Sequence, residues 1–443
     1  MTLLECNVSA IPAGSSGVPD NPATVFQQCT ILSSWPLTCI PTDEVTDSWT
    51  RFRGPNGSGH GSGLKLPTDI NEQFIRWKVP LPGVGHGSPV VHKGRIYLQA
   101  SENQGTERLI FCLDASSGKI LWKRSIQGKR AAAMHQKNSL ASGTAATDGE
   151  RVFFCHWDGQ TVQLAAYSCA QGEPLWTFPL GKHVSQHGAG YSPILVEGKV
   201  IVAYDADNHA EVFCIEAATG KKLWSQSRKN YRACYGTPLI RSRKPHDEVI
   251  VASTAGITGY ALESGLKLWD MEWPFASKPL RSVSSPVLCD NDILLAACGD
   301  GGGDRDTIAL QLPTGDTSQE RQPKLVWQLH RDIPYVTCLL EHQQNIFYVA
   351  DKGVAGCLDL KTGKERWAQR LSGNFTSSPL LVDKHIFAVN ENGELFIFEA
   401  NAEKYHLRGR LKLNEDVLAT PALASGNLLI RGKQHLFCLG VAK

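Results

Sequence analysis

Asp114-Ala-Ser-Ser-Gly-Lys-Ile-Leu-Trp122 is repeated along the chain as Glu216-Ala-Ala-Thr-Gly-Lys-Lys-Leu-Trp224 and Asp359-Leu-Lys-Thr-Gly-Lys-Glu-Arg-Trp367. Cys169-Ala-Gln-Gly-Glu-Pro-Leu-Trp176 and Leu262-Glu-Ser-Gly-Leu-Lys-Leu-Trp269 are looser copies. A recurring motif of this kind means that one supersecondary unit is stacked many times. Within the motif, the acidic residue can accept hydrogens from the backbone just after it. The Gly supplies the positive φ of a short hairpin loop. An apolar run such as Leu109-Ile-Phe-Cys-Leu113 precedes the turn, and a strand carrying the Trp follows it.

Upstream of each turn lies a small residue plus Pro leading into another apolar run. Examples are Gly87-Ser-Pro-Val-Val91, Tyr191-Ser-Pro-Ile-Leu195, Ser285-Pro-Val-Leu288 and Thr420-Pro-Ala-Leu423. A further strand follows, as in Arg95-Ile-Tyr-Leu-Gln99. Each unit is therefore four short strands with period-2 patterning and no helical period. The Trp residues of the repeat are Trp77, Trp122, Trp176, Trp224, Trp269, Trp327 and Trp367, about 48 residues apart on average. That is the size of a propeller blade. Seven units carry four strands, and residues 418–440 hold three more. The strand that completes this last group is at the other end, Phe74-Ile-Arg-Trp-Lys-Val79. The expected fold is an all-β, eight-bladed propeller of four-stranded antiparallel blades. The N-terminal strand pairs with the last three, which closes the ring and removes exposed sheet edges. The seven Trp are expected to dock blade on blade.

These residues resemble the PQQ-like β-propeller repeat family, whose signature is Ala-x-Asp-x-x-Thr-Gly-Lys-x-x-Trp. The resemblance covers about residues 49–440. The opening Trp49-Thr-Arg-Phe-Arg-Gly-Pro-Asn-Gly57 is similar to the start of family members from planctomycete-type bacteria. The family implies the fold and leaves function open, since one propeller hosts many functions.

The chain divides into residues 1–47, with five Pro and three Cys, and the propeller from residue 48 to 443. The first segment shows no basic stretch followed by an apolar one, so it reads as an extension and not as a standard secretory signal. Charge is nearly balanced at a net +2, which argues against nucleic acid or an anionic membrane as partner. No apolar run reaches the length of a membrane-spanning helix. Ten of the thirteen Cys lie in the propeller, and Cys112, Cys214, Cys357 and Cys438 occupy similar strand positions. They are expected to be small buried apolar residues.

Loops that lead into the inner strands of a propeller gather on one face, around the channel. Here they are polar, and loops between second and third strands open beside them. The candidate ligand or partner residues are His135, Lys137, Asn138, Gln186, His187, Arg232, Tyr235, Arg281, Asp300, Asp304, Arg305, Tyr335 and Asn374. No metal site is expected. The run from Asp300 to Asp306 lacks the alternating ligands and distal Glu of a Ca²⁺ loop. His135, His187 and His209 show no short ligand spacing. No nucleophile elbow is present, so no catalytic residue is assigned.

The resemblance offers two function classes. One is a non-catalytic, BamB-like binding or scaffold propeller of the periplasm or cell envelope. It would act as a monomer with a protein or glycan partner on the polar funnel face, and without a cofactor. The other is a quinoprotein dehydrogenase that oxidises alcohols or sugars with PQQ and Ca²⁺ in the funnel. Those enzymes carry adjacent cysteines beside the quinone, and this sequence has no Cys-Cys pair. It also lacks their long insertions. The binding propeller is the expected function.

Overall fold

One small residue stands opposite each repeat Trp across the strand pair. In the computed structural model, Trp122 pairs across its hairpin with Cys112, Trp176 with Ala166, Trp224 with Cys214 and Trp269 with Gly259. Trp327 pairs with Ala309, Trp367 with Cys357 and Trp77 with Cys438. A register shift follows this pair in each hairpin. Such a bulge re-aims a side chain, here the indole, out of the pleat.

The structure describes residues 48–441 apart from 65, 129–133, 275–278, 302, 316–321 and 332. These residues form eight separate sheets. Blade one contains Val90–His92, Arg95–Glu102, Glu107–Asp114 and Ile120–Gln127. Blades two to seven follow in chain order, each with four antiparallel strands joined by consecutive hairpins. Blade eight joins Ala422–Ala424, Asn427–Arg431 and His435–Leu439 to the early strand Ile75–Pro80. The expected closure is therefore present. It is also a core: residues from blades seven, eight and one, among them Phe387, Phe437 and Phe111, form one buried cluster.

Five of the seven indoles also donate to a carbonyl of the next blade. Trp122 Nε1 donates to the Cys169 carbonyl at 3.0 Å, and Trp176 Nε1 to Ala217 at 3.0 Å. Trp224 reaches Leu262, Trp327 reaches Leu360, and Trp367 reaches Asn401, each at 2.8 Å. The turn Gly of that next blade lies flat on the ring. A Cβ built on Gly172, at φ 73, would sit 2.6 Å from Trp122, and one on Gly220 would sit 2.6 Å from Trp176. This explains the Gly of the repeat twice over, by backbone and by contact. Trp269 departs from the pattern. Its Nε1 donates to the Glu248 carboxylate of its own blade at 3.1 Å. The neighbouring blade five has no Gly-Lys turn there. Trp77 packs on Gly118 of blade one, but its Nε1 has no partner.

The Ser/Thr-Pro segments form a second, inner belt. The Ser88 amide donates to Thr144 Oγ1 at 3.0 Å, and the Thr144 amide to Ser192 Oγ at 2.9 Å. Thr237 donates to Ser285 at 2.9 Å, Cys338 to Ser378 at 3.1 Å and Ser378 to Thr420 at 3.0 Å. Pro removes the competing donor one residue on, so the hydroxyl of one blade caps the backbone of the one before.

The stretch from 48 to 61 threads the channel. Ser48–Trp49 adds a fifth strand to blade one, and His60–Gly61 adds a parallel one to blade seven. Between them Asn56 exchanges two hydrogen bonds with Ile240 of blade four, at 2.6 and 2.9 Å. Arg51 donates to the Pro238 carbonyl at 2.5 Å, and Arg53 to Leu339 of blade six at 2.9 Å. Both guanidinium groups are buried, and burial holds Arg51 down to about 9.

Candidate functional site

The inner belt and the plug leave one cavity of about 560 Å³ open toward the loop face. All eight blades line it, from His86 and Ser88 on blade one to Leu418 and Thr420 on blade eight, and Phe52 of the plug lines its inner end. Nine of the thirteen sequence candidates are among its lining residues: His135, Lys137, Asn138, His187, Tyr235, Arg281, Arg305, Tyr335 and Asn374. Residues some 240 positions apart converge because the ring brings every inner-strand start to one axis.

The other four candidates lie off the cavity. Gln186 and Asp304 are exposed and Arg232 is half-buried. Asp300 is buried, and its backbone amide bonds the Asp304 carbonyl at 3.0 Å. The carbonyls of Asp300 and Asp304 both accept from Arg305 Nη1. The Gly-rich run 299–305 is thus a turn tied to an arginine. Three ionisable lining residues are not among the sequence candidates: His86, Asp351 and Lys352. Asp351 and Lys352 stand between the second and third strands of blade six.

Several candidates brace the rim. Asn138 Nδ2 donates to the carbonyls of His187, at 2.6 Å, and Ala189, at 3.2 Å, tying blade two to blade three. The His135 and His187 rings stack with centroids 5.4 Å apart. Burial, then Arg281 and His135, push His187 down to about 4, so it is neutral at pH 7. His86 donates Nδ1–H to the Lys137 carbonyl at 3.2 Å and is likewise lowered to about 4 by burial. The Tyr235 hydroxyl donates to the Gly188 carbonyl at 2.9 Å. Burial raises its ionisation to about 12.

The charge balance within the cavity is uneven. Lys137, Arg281, Arg305 and Lys352 line it, against one carboxylate among the described residues, Asp351. Asp351 accepts the amides of Tyr335 at 3.2 Å and Val336 at 2.8 Å, and Arg305 Nε lies 3.5 Å away. Lys137 is paired with Glu391 at 2.6 Å. Arg305 also lies over the Tyr335 ring, 4.6 Å from its centre. Arg281 is different. It is 4 % exposed, its backbone bridges Gly299 in both directions at 2.9 Å, and its Nε has no hydrogen-bond partner.

The donor set does not suit Ca²⁺. That ion takes six to eight oxygens, preferably carboxylates. Asp351 is already engaged, and among the described residues no group of three His, Cys, Asp or Glu converges on a metal position.

A closed eight-bladed ring, docked by Trp and belted by Ser/Thr-Pro, with a polar funnel on one face, defines a PQQ-like repeat propeller. The chain belongs to the family described as outer membrane protein assembly factor BamB, whose model matches residues 69–134, 106–337 and 319–405. It is similar to an outer membrane protein assembly factor BamB of Nitrosomonas eutropha, 22 % identical over 62 % of this chain and 73 % of that protein. It is also similar to quinohemoprotein alcohol dehydrogenase ADH IIB of Pseudomonas putida, 23 % identical over 46 % of this chain and 28 % of the enzyme. The chain therefore spans under a third of the dehydrogenase. The crystal structure of BamB from Moraxella catarrhalis superposes with a TM-score of 0.59 at 13 % identity, covering 83 % of this chain and 97 % of that one. At that identity the likeness is one of fold.

Proposed function

We propose that this chain is a non-catalytic binding propeller of the cell envelope, holding a protein partner on its funnel face. The observation that carries the reading is the funnel itself, a polar cavity built by every blade and held by rim braces such as Asn138. Rigid rings that present loops are suited to recognition. The relatives support the same choice. The BamB of Nitrosomonas eutropha is matched over 73 % of its length, and its name places it in outer membrane assembly. Among the described residues no helix is long and apolar enough to cross a membrane. The dehydrogenase reading is weaker because among the described residues no group of three His, Cys, Asp or Glu converges on a metal position, and the sequence has no adjacent cysteines.

The test is affinity capture from envelope extract, quantified by mass spectrometry. Wild type should retain a specific protein, and Arg281→Lys with Lys352→Glu should lose most of it while keeping a single cooperative melting transition. Retention by the double variant at the wild-type level would remove the funnel face from the interaction.

A further inference from the structure

Arg281 is buried in the wall of the cavity, yet no carboxylate among the described residues pairs with its guanidinium. A buried arginine left unpaired is costly, by several kcal/mol in general terms. Native structures rarely leave such a group without a purpose. The other buried arginines each anchor at least part of the guanidinium, as Arg53 does on Leu339, Arg431 on Gly87 and Gln99, and Arg241 on Glu248. The Nε of Arg53 and of Arg431 is without a partner as well, but for Arg281 no hydrogen bond or ion pair to any guanidinium nitrogen is formed among the described residues. Around it the cavity repeats one sign. Lys352 and Arg305 line the same space, while the carboxylate Asp351 is already engaged by two amides and by Arg305.

From these observations, and resting on the binding reading above, we propose that the cavity takes an acidic segment of the partner protein, with one side-chain carboxylate on the Arg281 guanidinium. The fork of an arginine matches a carboxylate in two parallel hydrogen bonds. Lys352, exposed at the mouth, meets a second acid of the same segment. The cavity volume admits a few side chains and not a folded domain, so an extended acidic stretch is the occupant that fits. The hydroxyl belt below, Ser192, Thr237 and Ser285, offers neutral donors to its backbone carbonyls.

The experiment is isothermal titration of the full chain with an acetylated and amidated hexaglutamate peptide. The hexaglutamine peptide and citrate serve as comparisons. The glutamate peptide should bind and the glutamine peptide should not. Arg281→Gln should weaken binding by roughly thirtyfold or more, as loss of one partner of a buried charge pair does. Arg281→Lys keeps the charge and loses the fork, so it should fall between the two. It also serves if the glutamine variant does not fold. Equal binding of both peptides, or binding indifferent to Arg281→Gln and Arg281→Lys, overturns the proposal. Citrate that binds more tightly than the peptide and displaces it also overturns it, in favour of a free organic acid. Partner capture that survives Arg281→Gln defeats this inference alone. A wild-type chain that captures nothing defeats the broader reading instead.

Discussion

Trp224 shows how one residue type organises the molecule. It is buried to 8 % exposure, stands opposite Cys214, donates to Leu262 of the next blade and covers Gly265 of that blade's turn. Trp224→Ala should destabilise the fold by about 3–5 kcal/mol, as large aromatic truncations in cores do. Urea unfolding followed by tryptophan fluorescence measures this, and a loss under about 1 kcal/mol would mean the indole does not hold a blade junction. The small residue beneath it is under the same constraint. Cys112, Cys214, Cys357 and Cys438 share one slot, and burial pushes each thiol up to about 12. They are packing atoms, as the sequence position implied. Buried histidines set the pH response. Burial holds His156 at about 3, and His60 and His183 at about 4, against an ordinary 6.5. The unfolded chain takes up protons that the folded chain refuses as pH falls below that ordinary value. Stability is therefore full above about pH 6.5 and is lost progressively on acidification toward pH 4. His156→Phe should make the fall shallower, by up to about 1.4 kcal/mol per pH unit. An unchanged slope between pH 6.5 and 4.5 would show that His156 is protonated in the folded protein.

At the scale of elements, the blade was legible and the plug was not. The turn motif predicts itself from local chemistry. Asp114 Oδ1 accepts the amides of Ser116 at 3.1 Å and Ser117 at 2.9 Å, and Gly118 follows at φ 72. Such bonds span three residues, so a sequence window contains them. Residues 48–61 bond to partners far along the chain, as Arg53 does to Leu339, 286 positions away, and Gly59 to Leu381. Nothing local marks them as a channel plug. The same reason hid Phe52 at the inner end of the cavity. Asn56 fixes the plug to blade four through two hydrogen bonds. Asn56→Ala should cost about 1–2 kcal/mol, two modest net hydrogen bonds. It should also raise amide exchange at Ile240 ahead of the rest of its blade. Exchange that stays uniform across blade four would show that the plug is held elsewhere.

For the whole molecule, closure follows from counting strands. Three orphan strands at one end and one at the other predict the pairing of Ile75–Pro80 with His435–Leu439 that the fold shows. A chain starting at residue 81 loses both that strand and the plug. It should lose its single cooperative melting transition and elute as larger species, since sheet edges are then open. A monomer with the original melting temperature would show that seven blades suffice. The funnel was partly legible for the same geometric reason: loops before inner strands must meet on the axis. Arg281, Tyr335 and Asn374 were found that way. Lys352 and Asp351 come from a loop with no distinctive composition, and only the ring places them in the cavity.

The claim that the funnel binds and does not catalyse is tested most directly by titrating the purified chain with PQQ and Ca²⁺. Thermal shift and alcohol-dependent dye reduction would be read together. The account predicts no alcohol-dependent reduction at any PQQ concentration. Turnover that requires PQQ, and that disappears in Arg281→Gln, would contradict it and make the cavity an active site.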